Sequence, residues 1–203
     1  MKKHGSIVKL SRQLGIALTP KAAKVMGKRD YPPGQHGASS GFKRSKMSDY
    51  KIQLLEKQKL RAQYNIHERQ LANYYATATG KVGNSVDNLV QLLESRLDSM
   101  VLRAGLAPTI YAARQYVSHG HITVNGKRVN IASFQVNLGD VVGIHASSQT
   151  LGIFEDAFER NMPPSYIALD RGNKTLKLAY LPKREEVTAL QCEVSRVIEF
   201  YSR

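Results

Sequence analysis

The hydrophobic period of the chain changes from helical to extended at Gly120. Over residues 85–118, apolar residues recur at the three- and four-residue spacing of amphipathic helices. After Gly120, apolar and polar residues alternate, and Asn125-Gly126 is a strong signal for a two-residue hairpin turn, because such a turn needs positive φ at both positions. The sequence therefore predicts helices at 85–105 and 110–118, followed by a small antiparallel sheet.

Helix and strand signals continue on both sides of this unit. Ser48 is a suitable N-cap for a helix over 49–63, and the apolar segment 197–203 is expected to pack onto the same helical body. The further predicted elements are helices at 66–78 and 154–161 and strands at 134–138, 141–146, 166–170 and 175–181. The predicted fold class is α+β, with a mostly helical body and an embedded module of two helices and a small antiparallel sheet.

The chain is strongly basic, and its basic residues are unevenly distributed. The formal net charge is +14 and the isoelectric point is about 9.9. Residues 1–50 hold eleven Lys or Arg against two acids, residues 51–149 hold eleven against six, and residues 150–203 hold eight of each. Because Lys and Arg on phosphates release condensed counterions, the first 149 residues are expected to bind a polyanion. The neutral remainder is expected to face the protein itself or a protein partner.

The composition also narrows the class of protein. The chain has no run of eighteen apolar residues, and its first residues lack the apolar stretch of a secretory signal, so neither a membrane span nor secretion is expected. Cys192 is the only cysteine, which excludes an internal disulfide and a multi-cysteine zinc site. The sequence predicts no cofactor, no metal and no membrane partner.

Three parts are expected from these patterns. Residues 1–47 form a basic N-terminal arm with little periodicity, which contains a turning loop at Pro32-Pro33-Gly34 and becomes well ordered on its partner. Residues 48–84 and 150–203 form the helical body with short C-terminal strands. Residues 85–149 form an RNA-binding module of two helices and an antiparallel hairpin sheet.

Basic and hydrogen-bonding groups of the module are predicted to share one surface. Arg96 and Arg103 are seven residues apart in the first predicted helix and fall on one face, opposite the apolar stripe. Arg114 and Ser118 share a face of the second helix. Arginine suits phosphate, and a hairpin tip reaches the shallow minor groove of A-form RNA. We expect Arg103 and Arg114 to be replaceable by alanine without unfolding of the protein. The hairpin region adds His119, His121, Asn125, Lys127 and Arg128.

Three stretches of the chain resemble one known family, in the same order along the sequence. LLESRLDSMVLRAGLAPTIYAARQYVSHGHITVNGKRVNIASFQVNLGDVV (92–142) resembles the RNA-binding module of the fourth protein of the bacterial small ribosomal subunit. YPPGQHG (31–37) with residues 48–70 resembles the N-terminal region of that family, and VIEFYSR (197–203) resembles its C-terminus. The module alone also occurs in several RNA-modifying enzymes and synthetases, whereas its combination with both flanks is highly specific.

The resemblance implies a function and a set of partners. Proteins of this family bind 16S rRNA at a multi-helix junction early in assembly, lie near the mRNA entry channel beside the fifth small-subunit protein, and affect translational accuracy. The chain is accordingly expected to be a structural, non-enzymatic constituent of the small ribosomal subunit that nucleates assembly of the subunit body. Its expected location is the cytoplasm, with a plastid origin left open.

The resemblance also assigns RNA contacts residue by residue. In the module they fall on Arg96, Arg103, Arg114, Ser118, His119, His121, Asn125 and Lys127. In the arm, Tyr31, Gln35 and His36 of the YPPGQHG stretch are candidates for RNA binding. Lys43, Arg44 and Lys46 fall near the mRNA-entry surface of the family.

One departure from the family concerns zinc. Some members hold zinc with four cysteines in the N-terminal arm, whereas this arm has Val8 and Ser11 where thiolates would sit and contains no cysteine. A structural zinc site needs four ligands. The chain is therefore identified as a variant with a cysteine-free N-terminal arm, which apolar packing and RNA must order instead.

Three other functions are considered, and the catalytic one is rejected. Arg96-Leu97-Asp98 resembles the catalytic motif of pseudouridine synthases, but Asp98 lies within a predicted helix as a cap or ion-pair partner of an arginine, and only 53 residues follow position 150. His119 and His121 with His145 would make an uncommon three-histidine metal site. A stand-alone RNA chaperone or RNA-modifying factor with the same module is the remaining alternative, and it would lack the helical body.

Overall fold

The computed structural model describes residues 6–37, 47–155 and 162–203. These fall into two compact units, one of Met1–Glu68 with Ala189–Arg203 and one of Arg69–Thr188. The α+β fold class is confirmed, while the division into arm, body and module stays a prediction. No helix of the described residues is long and apolar enough to cross a membrane.

Short helices and one sheet make up the described chain. The helices are α1 (Ile7–Leu14), α2 (Pro20–Met26), α3 (Asp49–Gln63), α4 (Glu68–Thr79), α5 (Ser85–Glu94), α6 (Leu97–Arg103), α7 (Ile110–Ser118), α8 (Gly152–Glu155) and α9 (Val194–Tyr201). The strands are β1 (Ile122–Val124), β2 (Lys127–Arg128), β3 (Val141–Ile144), β4 (Ile167–Asp170) and β5 (Thr175–Leu178). The helix predicted at 154–161 extends mostly beyond the described residues.

The first unit is built around α3 and α9. α3 begins as the sequence predicts, because the Ser48 hydroxyl accepts a hydrogen bond from the amide of Lys51. α9 packs against α3, and Leu60 and Val197 are fully buried. The predicted packing of the C-terminal segment onto the helical body is therefore confirmed.

The N-terminal region contains more regular structure than the sequence analysis predicts. Helices α1 and α2 occupy much of a region expected to have little periodicity, so that expectation is wrong for residues 7–26. Gly15, at a φ of 70°, ends α1 in the left-handed conformation that glycine favours. Thr19 accepts a hydrogen bond from the amide of Ala22, and Pro20 takes the first helical position of α2. Residues 31–37 turn without a helix, as predicted.

A buried lysine in the middle of α3 contacts the first residue of α4 and the last turn of α9 within this unit. Lys57 Nζ lies 2.7 Å from Oε1 of Glu68 and 4.0 Å from the centre of the Phe200 ring. The Tyr201 hydroxyl donates to the same carboxylate at 2.6 Å. Burial by itself would raise the pKa of Glu68, but hydrogen bonds from Lys57 and Tyr201 and the charges of Lys57 and Arg61 hold it below its ordinary value.

Five antiparallel strands form the sheet of the second unit, in the order β2-β1-β3-β5-β4. β4 and β5 confirm the strands predicted at 166–170 and 175–181, and β5 pairs directly with β3, so the sheet continues beyond position 149. The turn between β1 and β2 is also confirmed, because Asn125 and Gly126 both have positive φ, at 51° and 77°. A central layer of fully buried side chains includes Leu93, Leu97, Met100, Val101, Ile122 and Val142.

The long helix predicted over 85–105 is wrong, because the chain breaks between α5 and α6. Arg96 has an extended backbone (φ −66°, ψ 141°). The amide of Leu97 donates to the carbonyl of Phe134 at 2.9 Å, and the amide of Val136 donates to the carbonyl of Ser95 at 2.8 Å. Residues 134–138 are therefore joined to the helix break and do not form the predicted further strand of the sheet, apart from a single bridge between Arg96 and Gln135.

Because the folded pKa of Glu68 lies below its ordinary value of 4.5, its contribution to stability is complete above that pH and is lost as the pH falls through the folded pKa. We predict that Glu68→Gln reduces the loss of unfolding free energy between about pH 7 and pH 3 by roughly 0.5–1 kcal/mol, a value discounted for the half-exposed carboxylate. Urea denaturation followed by circular dichroism at each pH measures this difference. Glu185→Gln, which removes an exposed carboxylate, is the matched control; an equal acid loss in parent and Glu68→Gln would contradict the prediction.

Candidate nucleic-acid interface

Helix α7 carries polar groups on the side opposite its buried face. The Thr109 hydroxyl accepts a hydrogen bond from the amide of Ala112 and starts the helix as predicted. Ile110, Ala113 and Val117 are buried, whereas Arg114 is partly exposed and Ser118 is exposed. The helical spacing therefore presents a guanidinium and a hydroxyl on one outward face, as the sequence predicts.

Gly120 connects this helix to the hairpin and holds the side chain of Arg128. Its φ of 75° ends the helical segment, and Arg128 Nε donates to its carbonyl at 2.7 Å. A Cβ at position 120 would lie only 2.9 Å from Arg128 Nε, so a side chain there would displace the arginine. The glycine thus fixes β2 against the end of α7.

Exposed side chains extend along the hairpin from this junction. His119, Asn125, Lys127 and Arg128 are all exposed. The Asn125 amide is used inside the protein, since its Nδ2 donates to Asp140 at 2.8 Å and its Oδ1 accepts from the amide of Val141 at 2.9 Å. These bonds from Asn125 and from the amide of Asn137 lower the pKa of Asp140. Asn125 therefore braces the hairpin tip, and Lys127 supplies its exposed cation.

The two neighbouring histidines have different environments. His119 is exposed, whereas His121 is half-buried, with its ring centre 5.9 Å from that of Phe154. His121 Nδ1 lies 2.9 Å from the Ser148 hydroxyl, and His145 Nδ1 lies 2.8 Å from the Ser147 hydroxyl. Within residues 6–37, 47–155 and 162–203, no cluster of three or more His, Cys, Asp or Glu side chains is placed to hold a metal ion.

Arg96 does not lie on the predicted surface. Its side chain is fully buried, and it holds Asp98 through two hydrogen bonds, Nε to Oδ1 at 3.0 Å and Nη2 to Oδ2 at 2.7 Å. Nη1 donates to the Tyr74 hydroxyl at 2.7 Å. The expected common helical face of Arg96 and Arg103 is therefore wrong, because the helix break turns Arg96 into the interior.

Asp98 is the ion-pair partner that the sequence analysis predicts. Its carboxylate is fully buried, with Arg114 Nη1 also 4.0 Å away. Burial raises the pKa of Asp98, although the hydrogen bonds and charge of Arg96 oppose that rise. A carboxylate enclosed in this way has no access to a substrate base.

Arg103 is also engaged with the protein interior. Its Nη2 lies 2.8 Å from Oε1 of the fully buried Glu94, and its Nε donates to both carboxylate oxygens, at 3.2 and 3.0 Å. The Tyr166 hydroxyl donates to the same carboxylate at 3.0 Å. Burial and the charge of Glu94 raise the pKa of Tyr166. Contrary to the expectation from the sequence, removal of Arg103 is therefore predicted to destabilise the fold.

The arm candidates belong to the first unit or lie outside the described residues. Tyr31, Gln35 and His36 are exposed. Arg12 Nη2 donates to the carbonyl of Tyr31 at 2.8 Å, and the Arg12 guanidinium lies 4.8 Å from the centre of the Tyr31 ring. Lys43, Arg44 and Lys46 lie outside the described residues. The arm contacts remain predictions.

Sequence reasoning did not identify a polar groove in the second unit. The groove has a volume of about 290 Å³ and is lined by Gln70, Asn73, Tyr74, Thr77, Ser133 and Gln135. The available signal was the spacing of Gln70, Asn73, Tyr74 and Thr77, which places four polar or hydroxylated side chains along one face of α4.

Comparison with known proteins covers nearly the whole chain. Residues 2–94 match the family profile described as ribosomal protein S4/S9 N-terminal domain, and residues 95–142 match the S4 domain. The small ribosomal subunit protein uS4 of Chlorobium phaeovibrioides is 46% identical over 203 residues, with 98% of each chain covered. The uS4 protein of Micrococcus luteus is 46% identical over 202 residues, with 97% of this chain and 95% of the relative covered.

The chain belongs to the uS4 family of small ribosomal subunit proteins. The boundary between the two matched segments coincides with the end of α5 at Glu94. The resemblance predicted from residues 92–142 and the two flanks is thus confirmed at the level of the family. The subgroup with a cysteine-free arm stays a prediction, and the single cysteine, Cys192, is buried in the C-terminal part of this uS4-family chain.

Arg103→Ala leaves the buried carboxylate of Glu94 without its guanidinium. We predict that it lowers the free energy of unfolding by about 3–5 kcal/mol, the usual cost of breaking a buried ion pair by removal of one partner. The double variant Arg103→Ala with Glu94→Gln recovers part of this loss, because the uncompensated charge is gone. Urea denaturation measures both, with Arg171→Ala as a control at an exposed cation; a change below about 0.5 kcal/mol for Arg103→Ala would refute the prediction.

Proposed function

We propose that this chain is a structural, non-enzymatic constituent of the small ribosomal subunit and that it binds 16S rRNA. The near full-length identity of 46% to proteins named as small ribosomal subunit protein uS4 carries this proposal. The exposed polar surface of α7 and the β1–β2 hairpin supports it. The stand-alone RNA chaperone or RNA-modifying factor is less well supported, because the match over residues 2–94 belongs to a ribosomal N-terminal domain.

The RNA contacts are assigned to the exposed and partly exposed members of the candidate set on α7 and the hairpin. Arg114 and Ser118 on α7, with His119, Lys127 and Arg128, form what we call the α7–hairpin surface. Guanidinium and ammonium groups neutralise phosphates, and hydroxyl and imidazole groups reach 2′-hydroxyls of the minor groove. Because these groups belong to a capped helix and a tight hairpin, little backbone freedom is lost on binding.

The remaining candidate residues of the module are proposed to position the RNA-binding elements and not to contact RNA themselves. Arg96 holds the α5–α6 break, Arg103 neutralises Glu94, Asn125 braces the hairpin and His121 packs beside Phe154. Asn125 and His121 belong to the hairpin region itself, while Arg96 and Arg103 fix α6, the helix that packs against α7. Their proposed role is therefore to preserve the geometry of the α7–hairpin surface, and their removal should act on folding before it acts on RNA affinity.

The finer role follows from the family resemblance. We infer that the chain binds a multi-helix junction of 16S rRNA early in assembly and nucleates folding of the subunit body. Lys43, Arg44 and Lys46 are assigned to a surface near the mRNA entry channel, the fifth small-subunit protein is the neighbouring partner, and the position affects translational accuracy. Cytoplasmic ribosomes are the proposed location, with plastid ribosomes as the alternative. No cofactor takes part.

The assignment to the small subunit has a direct test. A tagged copy of the full chain is expressed in a bacterial host and analysed in sucrose gradients. At low magnesium it is expected to cosediment with small subunits, and at physiological magnesium with whole ribosomes. The tag alone is the control. Recovery with large subunits only, or at the top of the gradient only, would contradict the proposed function.

Arg114→Ala combined with Lys127→Ala removes one partly exposed and one fully exposed cation from the α7–hairpin surface. We predict weaker binding to 16S rRNA and a salt dependence shallower by one to two units, since about one unit is lost for each phosphate contact. Filter binding of the full chain over a range of KCl concentrations measures both quantities. Arg171→Ala with Lys177→Ala removes two exposed cations near β4 and β5 and should leave the slope unchanged. Equal slopes for all three proteins would show that this surface does not bind phosphate.

A further inference from the structure

The polar groove of the second unit contains no charged side chain in its lining. Four of its residues come from α4 and two from the segment that pairs with the α5–α6 break: Gln70, Asn73, Tyr74, Thr77, Ser133 and Gln135. Its volume of about 290 Å³ lies at the lower end of small-molecule sites, which span roughly 300–1,000 Å³. The groove therefore suits a small polar group that carries no full charge.

The Tyr74 hydroxyl gives the groove a free donor. Arg96 Nη1 donates to this oxygen at 2.7 Å, and Gln135 Nε2 donates to it at 3.5 Å. Because both neighbours are donors, the phenolic proton needs an acceptor of its own. Among residues 6–37, 47–155 and 162–203, no acceptor for this proton is found. A ligand acceptor in the groove would complete this hydrogen bond.

Amide side chains supply both donors and acceptors beside this hydroxyl. Asn73 is exposed, and its amide forms no hydrogen bond to the described residues. Gln135 is held in place because its Nε2 also donates to the carbonyl of Leu92 at 3.2 Å. One turn before Asn73 on α4, the exposed Arg69 shares its helix face. A neutral hydrogen-bonding site with a cation one helical turn away matches the chemistry of a base attached to a phosphate backbone.

We propose that this groove binds one unpaired nucleobase of the rRNA. The proposal rests on the proposed function and adds a base-reading site, separate from the phosphate contacts of the α7–hairpin surface. RNA-binding proteins recognise splayed-out bases through hydrogen bonds to their edges. An Asn or Gln amide matches the adenine N6 and N7 groups at two points, which makes adenine the preferred base. A phosphate fits less well, since no cation lines the groove.

The test uses the full chain and 16S rRNA. The parent protein is expected to protect at least one unpaired adenine from diethyl pyrocarbonate, a reagent that modifies adenine at N7. Asn73→Ala should restore the reactivity of that base and weaken binding about fivefold, which corresponds to the lower limit for a two-point amide contact. The salt dependence of binding should stay unchanged, because no phosphate contact is lost. Alanine at position 73 favours the helix, so the variant keeps its fold.

Two further variants make the outcome decisive. Tyr74→Phe removes the free donor and should expose the same base, with circular dichroism to verify that the unit stays folded after Arg96 loses one partner. Gln91→Ala removes an amide from α5 outside the groove lining and should behave as the parent. Parent binding with the same protected bases in Asn73→Ala would overturn the base-reading site alone. Absence of rRNA binding by the parent would instead overturn the proposed function, and the base-reading site with it.

Discussion

The buried pair of Arg96 and Asp98 is the interaction on which the second unit depends. Both side chains are fully buried, and the removal of two charges from water is costly unless their remaining hydrogen-bonding groups are satisfied. Here Tyr74 accepts from the guanidinium, and the amide of Ser99 donates to the carboxylate. The pair can form because the helix breaks at Arg96. The break in turn lets residues 132–136 bond to the backbone between α5 and α6.

The two kinds of basic residue in the module therefore have separate roles. Arg96 and Arg103 neutralise buried carboxylates and set the shape of the unit, whereas Arg114, Lys127 and Arg128 keep exposed surface on α7 and the hairpin. A count of positive charges along the sequence treats both kinds alike. Burial distinguishes the residues that bind a polyanion from the residues that position the binding residues. A desolvated guanidinium that is paired with a carboxylate belongs to a neutral pair, which does not attract a phosphate.

The contacts of the C-terminal segment, residues 150–203, are consistent with its zero net charge. β4 and β5 complete the sheet next to β3, and Tyr166 donates to Glu94 from the start of this region. In the other unit, α9 packs on α3 and closes over Lys57. The sequence analysis expected this segment to face the protein itself or a protein partner, and the first of these is confirmed for β4, β5 and α9. The acids and bases of this segment balance, in keeping with strands and a helix that complete the fold.

The sequence by itself determined the elements whose signals are local. Ser48 and Thr109 cap helices at the predicted positions, Asn125-Gly126 turns the hairpin, and the periodicity identifies the buried faces. Only the tertiary structure decided the break at Arg96, the partner of Arg103 and the groove beside Tyr74. Each of these depends on a segment distant in sequence, residues 132–136 or Glu94, and helical periodicity carries no information about such partners. Arg96 is seven residues from Arg103, so helical spacing alone predicts that both lie on one exposed face. The backbone pairing with residues 132–136 interrupts the helix and places Arg96 in the interior.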